Sequence, residues 1–185
     1  VGWLVFYPAF YFRLFHYAHH RHTQDPEHDP ELAIAPPTTR LAYVWWVLSF
    51  AYMWRRFGTS FAHAFTGVAK QPFVLERYVS RCVAEARLMW VGYFFVIMVS
   101  VYFETWVALQ YWLGPILLGQ PFLRLYLMAE HVGCDSGDDM IANARTTISN
   151  PVVRILAWNM PYHTEHHLFP SVPFHALPEL HQERE

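Results

Sequence analysis

Thirty-six residues, Leu88 to Leu123, carry a single charge, Glu104. Leu88–Phe103 supplies sixteen uncharged residues and Thr105–Leu123 another nineteen. That length is too great for one crossing of a hydrocarbon core about 30 Å thick and sufficient for two, with the turn at Glu104. Gly114-Pro115 would kink the second helix, which neighbouring helices in a bilayer can tolerate. Arg77, Arg81 and Arg87 precede the run, Arg124 follows it, and no Lys or Arg lies between. The positive-inside rule then puts both ends of the hairpin on the cytoplasmic side. These features predict an all-α integral membrane protein. It has a transmembrane hairpin at about 88–128 and a histidine-rich helical cap on the cytoplasmic face, both within one domain covering 1–185.

Composition agrees. Hydrophobic residues make up 54% of the chain and aromatics 18%, against 15% charged, and aromatic side chains favour the membrane interfaces. A net charge of −2 carries no nucleic-acid footprint. Cys82 and Cys134 have neither metal-ligand nor disulfide spacing.

The other segments are shorter. Val1–Phe15 is apolar and aromatic, but fifteen helical residues reach only about 22 Å, so it predicts the end of a span or an interfacial helix. Thr23–Arg40 contains Pro26, Pro30, Pro36 and Pro37 among acidic residues, and prolines at that density predict a solvent-facing loop. His28 in this loop reads as solvated. Leu41–Trp54 predicts an interfacial or re-entrant helix ending at Arg55-Arg56. Phe57–Arg87 reads as mostly helical, with breaks at Gly58, Gly67 and Pro72, and with His63 in a structural role.

Histidine placement carries the chemistry. The pattern H-x-x-H-H occurs as His16-Tyr17-Ala18-His19-His20 and as His163-Thr164-Glu165-His166-His167. Twelve histidines in 185 residues predict about 0.05 such matches by chance. On a helix this spacing turns three imidazoles to one face, and neutral imidazole is the commonest protein metal ligand. A two-span hairpin returns the chain to the side it left, so the two clusters can meet. His131 falls just past the second span, at the same depth. Seven histidines, His16, His19, His20, His131, His163, His166 and His167, exceed what one ion can use, so two ions are the economical reading. Donors rich in His and poor in Cys suit iron, copper or zinc. Glu130 and Glu165 adjoin candidate ligands as acceptors that could orient imidazoles. His22 lies off the shared helical face, and His175 and His181 read as surface residues.

The repeated H-x-x-H-H around a transmembrane hairpin resembles the membrane fatty acid desaturase superfamily. Asn143-Ala144-Arg145-Thr146-Thr147 and Trp158-Asn159-x-x-Tyr162-His163-x-Glu165-His166-His167-x-x-Pro170-x-x-Pro173 resemble its carboxyl-terminal region. His131 falls where desaturases and the related alkane hydroxylases carry an extra histidine. The resemblance implies two iron ions held by histidines, dioxygen as co-substrate and desaturation of a fatty acyl chain or other lipid. It also implies a separate electron donor, a ferredoxin or a small cytochrome with its reductase. Glu130, Glu165 and Asn159 would stand beside the ligands.

Two departures accompany it. The family's first histidine box is absent, which predicts that the chain is a piece opening inside an apolar stretch. Leu127 stands where some acyl desaturases place an asparagine. Hydroxylation or ketolation of a lipid, carotenoid or alkane is the nearest alternative. A non-catalytic metal-binding remnant is the alternative from another class, and a soluble zinc hydrolase would not need the hairpin. The carboxyl end lacks a eukaryotic retention signal, which favours a bacterial inner membrane.

Overall fold

The computed structural model describes residues 2–35, 37–137 and 139–184. Val1, at the head of the first apolar stretch, and Pro36, one of the loop prolines, lie outside the described residues. So do Asp138 and Glu185. The described residues form α-helices joined by turns, with no strand and one isolated bridge between Thr146 and Tyr162. The chain separates into two compact units, residues 1–18 with 34–122, and residues 19–33 with 123–185.

The first unit holds most of α1 (Ala9–Arg21), then α2 (Arg40–Val47), α3 (Phe50–Thr66) and α4 (Glu76–Tyr102). Thr39 caps α2, its hydroxyl accepting the Ala42 N–H at 3.1 Å. The helix expected over Leu41–Trp54 breaks at Ser49, which takes a left-handed φ of 59°. Serine is small, and its hydroxyl bonds the Val47 carbonyl at 3.3 Å. Arg55-Arg56 therefore lies inside α3 rather than at a helix end. Gly58 also sits inside α3 and breaks nothing, since a helical glycine costs only about 1 kcal/mol. Gly67 does end the helix, at φ 71°, with its N–H on the His63 carbonyl.

Apolar contacts hold the unit together. Tyr11, Ala69, Val74 and Cys82 form its core, with Phe10, Leu14 and Tyr78 against them. Arg81 lies over the Phe10 ring at 3.9 Å, and Glu85 accepts the Phe10 N–H at 2.8 Å. Trp3 stacks on Trp112 at 4.8 Å, and both donate indole N–H bonds, to the Met89 and Leu4 carbonyls. Trp3 lies so close to α4 that a Cβ on Gly92 would meet its Nε1 at 2.7 Å. His63 is buried against Tyr11 and bonds Gln71, a structural role.

One helix among the described residues, α4, is long and apolar enough to cross a membrane. It exposes Leu88, Val91, Phe94, Phe95, Met98 and Val101, and these follow the i, i+3, i+7 rhythm of one helical face. After a turn at Phe103–Glu104, helical structure resumes at 107 and runs unbroken to 131. It passes through a π-helical turn, Leu109–Leu113, into α5 (Gly114–His131).

The second unit contains the last turn of α1, a short 3₁₀ segment (Pro30–Ala33) and the end of α5. It continues with α6 (Pro151–Leu156), α7 (His163–Leu168) and α8 (Leu177–Arg184).

Candidate metal centre

Four histidines from three helices converge in the second unit: His19 from the end of α1, His131 from the end of α5, and His163 and His167 from α7. All four are buried. Their Nε2 atoms face one another, His19 to His131 at 3.2 Å, His131 to His163 at 2.8 Å, and His163 to His167 at 3.1 Å.

The residues 143–147 explain how chain ends so far apart in sequence meet. The Asn143 carbonyl accepts the His131 Nδ1–H at 2.9 Å, and Arg145 N–H donates to the Glu130 carbonyl at 2.9 Å. On the other side, Thr147 N–H donates to the Pro161 carbonyl, and the Thr164 hydroxyl donates to the Ala144 carbonyl. One extended strip thus staples the end of α5 to the start of α7. Trp158 and Asn159, both left-handed at φ 54° and 56°, turn the chain from α6 toward α7. Asparagine tolerates that conformation and tryptophan strains in it; backbone bonds from Trp158, Asn159 and Met160 to the Ile155, Arg154 and Ala157 carbonyls run through the turn.

The outward nitrogens decide the protonation pattern. His19 Nδ1 lies 3.0 and 3.1 Å from the two oxygens of Asp29, whose carboxylate can only accept. His131 Nδ1 faces a carbonyl, with the same consequence. His167 Nδ1 lies 3.1 Å from the Thr23 hydroxyl, which already donates its own hydrogen to the His19 carbonyl at 2.8 Å. These three imidazoles therefore carry hydrogen on Nδ1, so in their neutral form the lone pair sits on Nε2. His163 Nδ1 stands 3.6 Å from a Glu130 oxygen. Nitrogen lone pairs about 3 Å apart in a buried pocket repel unless a metal ion or a shared proton lies among them. Two nitrogens each about 2.1 Å from one ion stand about 3.0–3.4 Å apart at 90–109°, close to the spacing seen. Outward N–H groups held by a carboxylate, a carbonyl and a hydroxyl are the arrangement that fixes metal-binding imidazoles.

Electrostatics favour the neutral form of His163, His166 and His167 and oppose it at His19. Burial and the neighbouring imidazoles drive His163 and His167 well below the ordinary histidine pKa. Burial, with His19 and His131, lowers His166 to about 4. Burial also pushes His19 down, but Glu31, Asp29 and Glu130 outweigh it and leave its pKa raised. Burial, with Glu31, lifts Glu130 to about 8.

A second pair lies alongside. His20 Nε2 faces His166 Nε2 at 3.0 Å, and the His20 ring stacks on His167 with centroids 4.2 Å apart. His16 stands one turn earlier on α1, in the first unit, with its ring stacked on Phe12 at 5.5 Å.

The remaining expected neighbours divide. Glu130 is buried beside His163. Glu165 is buried too, but it accepts from Thr146, His181 and Arg184. Burial would raise its pKa; the Thr146 and His181 bonds outweigh that and lower it. Asn159 contributes backbone bonds, donating to Arg154 O and accepting from Tyr162 N. His181, read from sequence as a surface residue, bonds Glu165 at 2.8 Å and ties α8 to α7. Thr23 and Asp29 lie in the segment whose prolines predict a solvent-facing loop, yet both are buried, held by their bonds to His167 and His19. The acid-rich proline loop following H-x-x-H-H was the one available signal. His28 is solvated as expected, pairing with Asp25 at 2.7 Å, and Cys134 is a free thiol outside the histidine group.

No curated protein and no solved structure matches the chain. The family model described as fatty acid desaturase matches it over residues 1–185. The match covers both histidine clusters, His131 and the strip that joins them, and it shows that the chain belongs to the fatty acid desaturase family, a family of oxidoreductases acting on lipids.

Proposed function

We propose that this protein desaturates a fatty acyl chain or other lipid, using dioxygen, at a histidine-held di-iron centre on the cytoplasmic face of a membrane. The observation that supports this most is the convergence of four buried Nε2 atoms, three of them on rings whose opposite nitrogen is tied to an acceptor. His19, His131, His163 and His167 would hold one ion. His20 and His166 would serve the second, with His16, one helical turn before His20, as the ligand that helical spacing adds. Bound iron supplies what no side chain can, activation of dioxygen with two external electrons toward an unactivated C–H bond.

The chain's own groups perform the rest. Asp29, Thr23 and the Asn143 carbonyl orient imidazoles and keep Nε2 deprotonated. Burial of the ligands keeps bulk water from the reacting centre. The apolar face of α4 and the helix over 107–131 would form the membrane hairpin of one desaturase-like domain, bringing an acyl chain to the centre from the bilayer. Burial of such a chain supplies about 0.8 kcal/mol per CH₂. Electrons would come from a separate ferredoxin or small cytochrome with its reductase.

The test is metal analysis of the detergent-purified protein together with mass analysis of lipid products. About two irons per chain and products two mass units lighter support the reading. Products heavier by sixteen or fourteen would make the protein a hydroxylase or ketolase of the same family. Zinc in place of iron at the histidine centre, or a His131→Ala variant with undiminished iron, would overturn it.

A further inference from the structure

Outside the histidine centre, three ligating side chains meet on the loop that follows α1. His22, Asp25 and His28 each offer one ligand atom, and these atoms lie within 4.8 Å of one another. The His22 and His28 rings are 5.3 Å apart. The spacing is H-x-x-D-x-x-H in a turn rather than a helix, and local bonds set its shape. Asp25 N–H donates to the His22 carbonyl at 2.8 Å, and Asp29 N–H donates to the Asp25 carbonyl at 2.9 Å. One Asp25 oxygen accepts the Glu27 N–H at 2.9 Å, which aims the other at His28 Nδ1, 2.7 Å away. Asp29 anchors the loop from within, accepting the Gln24 and Glu31 N–H groups. The three side chains are therefore brought together by backbone that is already ordered.

The surroundings suit an ion arriving from water. His28 is exposed, and Asp25 and His22 are partly so. His22 and Asp25, though not His28, also line an open cleft of about 360 Å³ that borders His20 and Asn143 of the histidine centre. Two imidazoles and one carboxylate with solvent at the remaining position form an open three-ligand set. That donor set is borderline in softness and suits zinc, whereas calcium and magnesium prefer oxygen alone.

We propose that His22, Asp25 and His28 form a third metal site, a solvent-facing site for a divalent zinc-type ion, separate from the buried histidine centre. Its occupation would cross-link both ends of the His22–His28 turn.

The test is equilibrium dialysis of the detergent-purified protein against Zn²⁺, with zinc and iron counted per chain. Wild type, His28→Ala, Asp25→Asn and His167→Ala are compared. The wild type is expected to take up one zinc that His28→Ala and Asp25→Asn bind at least about 100-fold more weakly, with the iron of both variants unchanged. His167→Ala is expected to lose metal from the buried centre and to keep the exchangeable zinc. Equal zinc uptake by the wild type and both loop variants would overturn the proposal. Loss of the zinc only in His167→Ala would overturn it as well, by assigning that ion to the buried centre. A wild type that binds zinc at the loop but holds no iron would refute the di-iron reading and leave this site standing.

Discussion

Removing the Asp29 carboxylate tests the idea that outward bonds create the metal site. Its side chain is fully buried and receives three N–H donors: His19 Nδ1, Gln24 N and Glu31 N. Asp29→Ala strands all three; the buried His19 N–H costs about 1–3 kcal/mol, and the partly buried Gln24 and Glu31 N–H groups cost less because water can reach them. The sum overstates the loss, because a Glu31 oxygen already stands 4.0 Å from His19 Nδ1 on a 43% exposed side chain and can swing in. We expect a net cost of about 2–4 kcal/mol, which lowers the melting temperature by roughly 10 °C at this chain length. Iron affinity should fall about 10–100-fold, as when any orienting partner of a metal-bound imidazole is lost. If Glu31 rescues, the Asp29→Ala/Glu31→Ala double variant should lose more than the two single losses added. The assays are thermal melting of the metal-free protein and iron retention during chelator titration. Melting within about 1 °C of wild type together with wild-type iron retention would refute the reasoning, since a buried triple acceptor cannot be deleted without cost.

Other outcomes follow from the same structure. Glu165→Ala should destabilise the protein by about 2–4 kcal/mol, because Thr146, His181 and Arg184 all lose their acceptor, and denaturant melts measure it. Gly92→Ala should cost about 1–3 kcal/mol by forcing the Trp3 ring off α4, detected as a shift in tryptophan fluorescence alongside the melt. A topology reporter fused at Glu104 should lie across the membrane from reporters fused beside either histidine cluster, and a shared side would refute the hairpin. His28→Ala should leave lipid oxidation unchanged while His163→Ala abolishes it, as read by product analysis.

Several fold expectations failed for local reasons that composition hides. Ser49 broke an apolar helix by taking a left-handed conformation, which Leu41–Trp54 does not advertise because serine is also an ordinary helix residue. Gly58 was expected to break a helix and did not, since one glycine's cost is small beside seventeen residues of packed helix. His181 read as surface because its acceptor, Glu165, is sixteen residues away across two turns and a 3₁₀ segment.

The sequence alone determined which side chains could carry the chemistry. Helical periodicity is a local property, so H-x-x-H-H at two places and an apolar run around Glu104 are legible without coordinates. Family membership follows from the same strings. Only tertiary structure decided which histidines share a pocket and which nitrogen each presents. His19 meets His131 across 112 positions, and Thr23 meets His167 across 144. No local pattern encodes which acceptor such a histidine will find. The tautomers depend on those acceptors, and the tautomers determine whether the inward nitrogens can bind a metal.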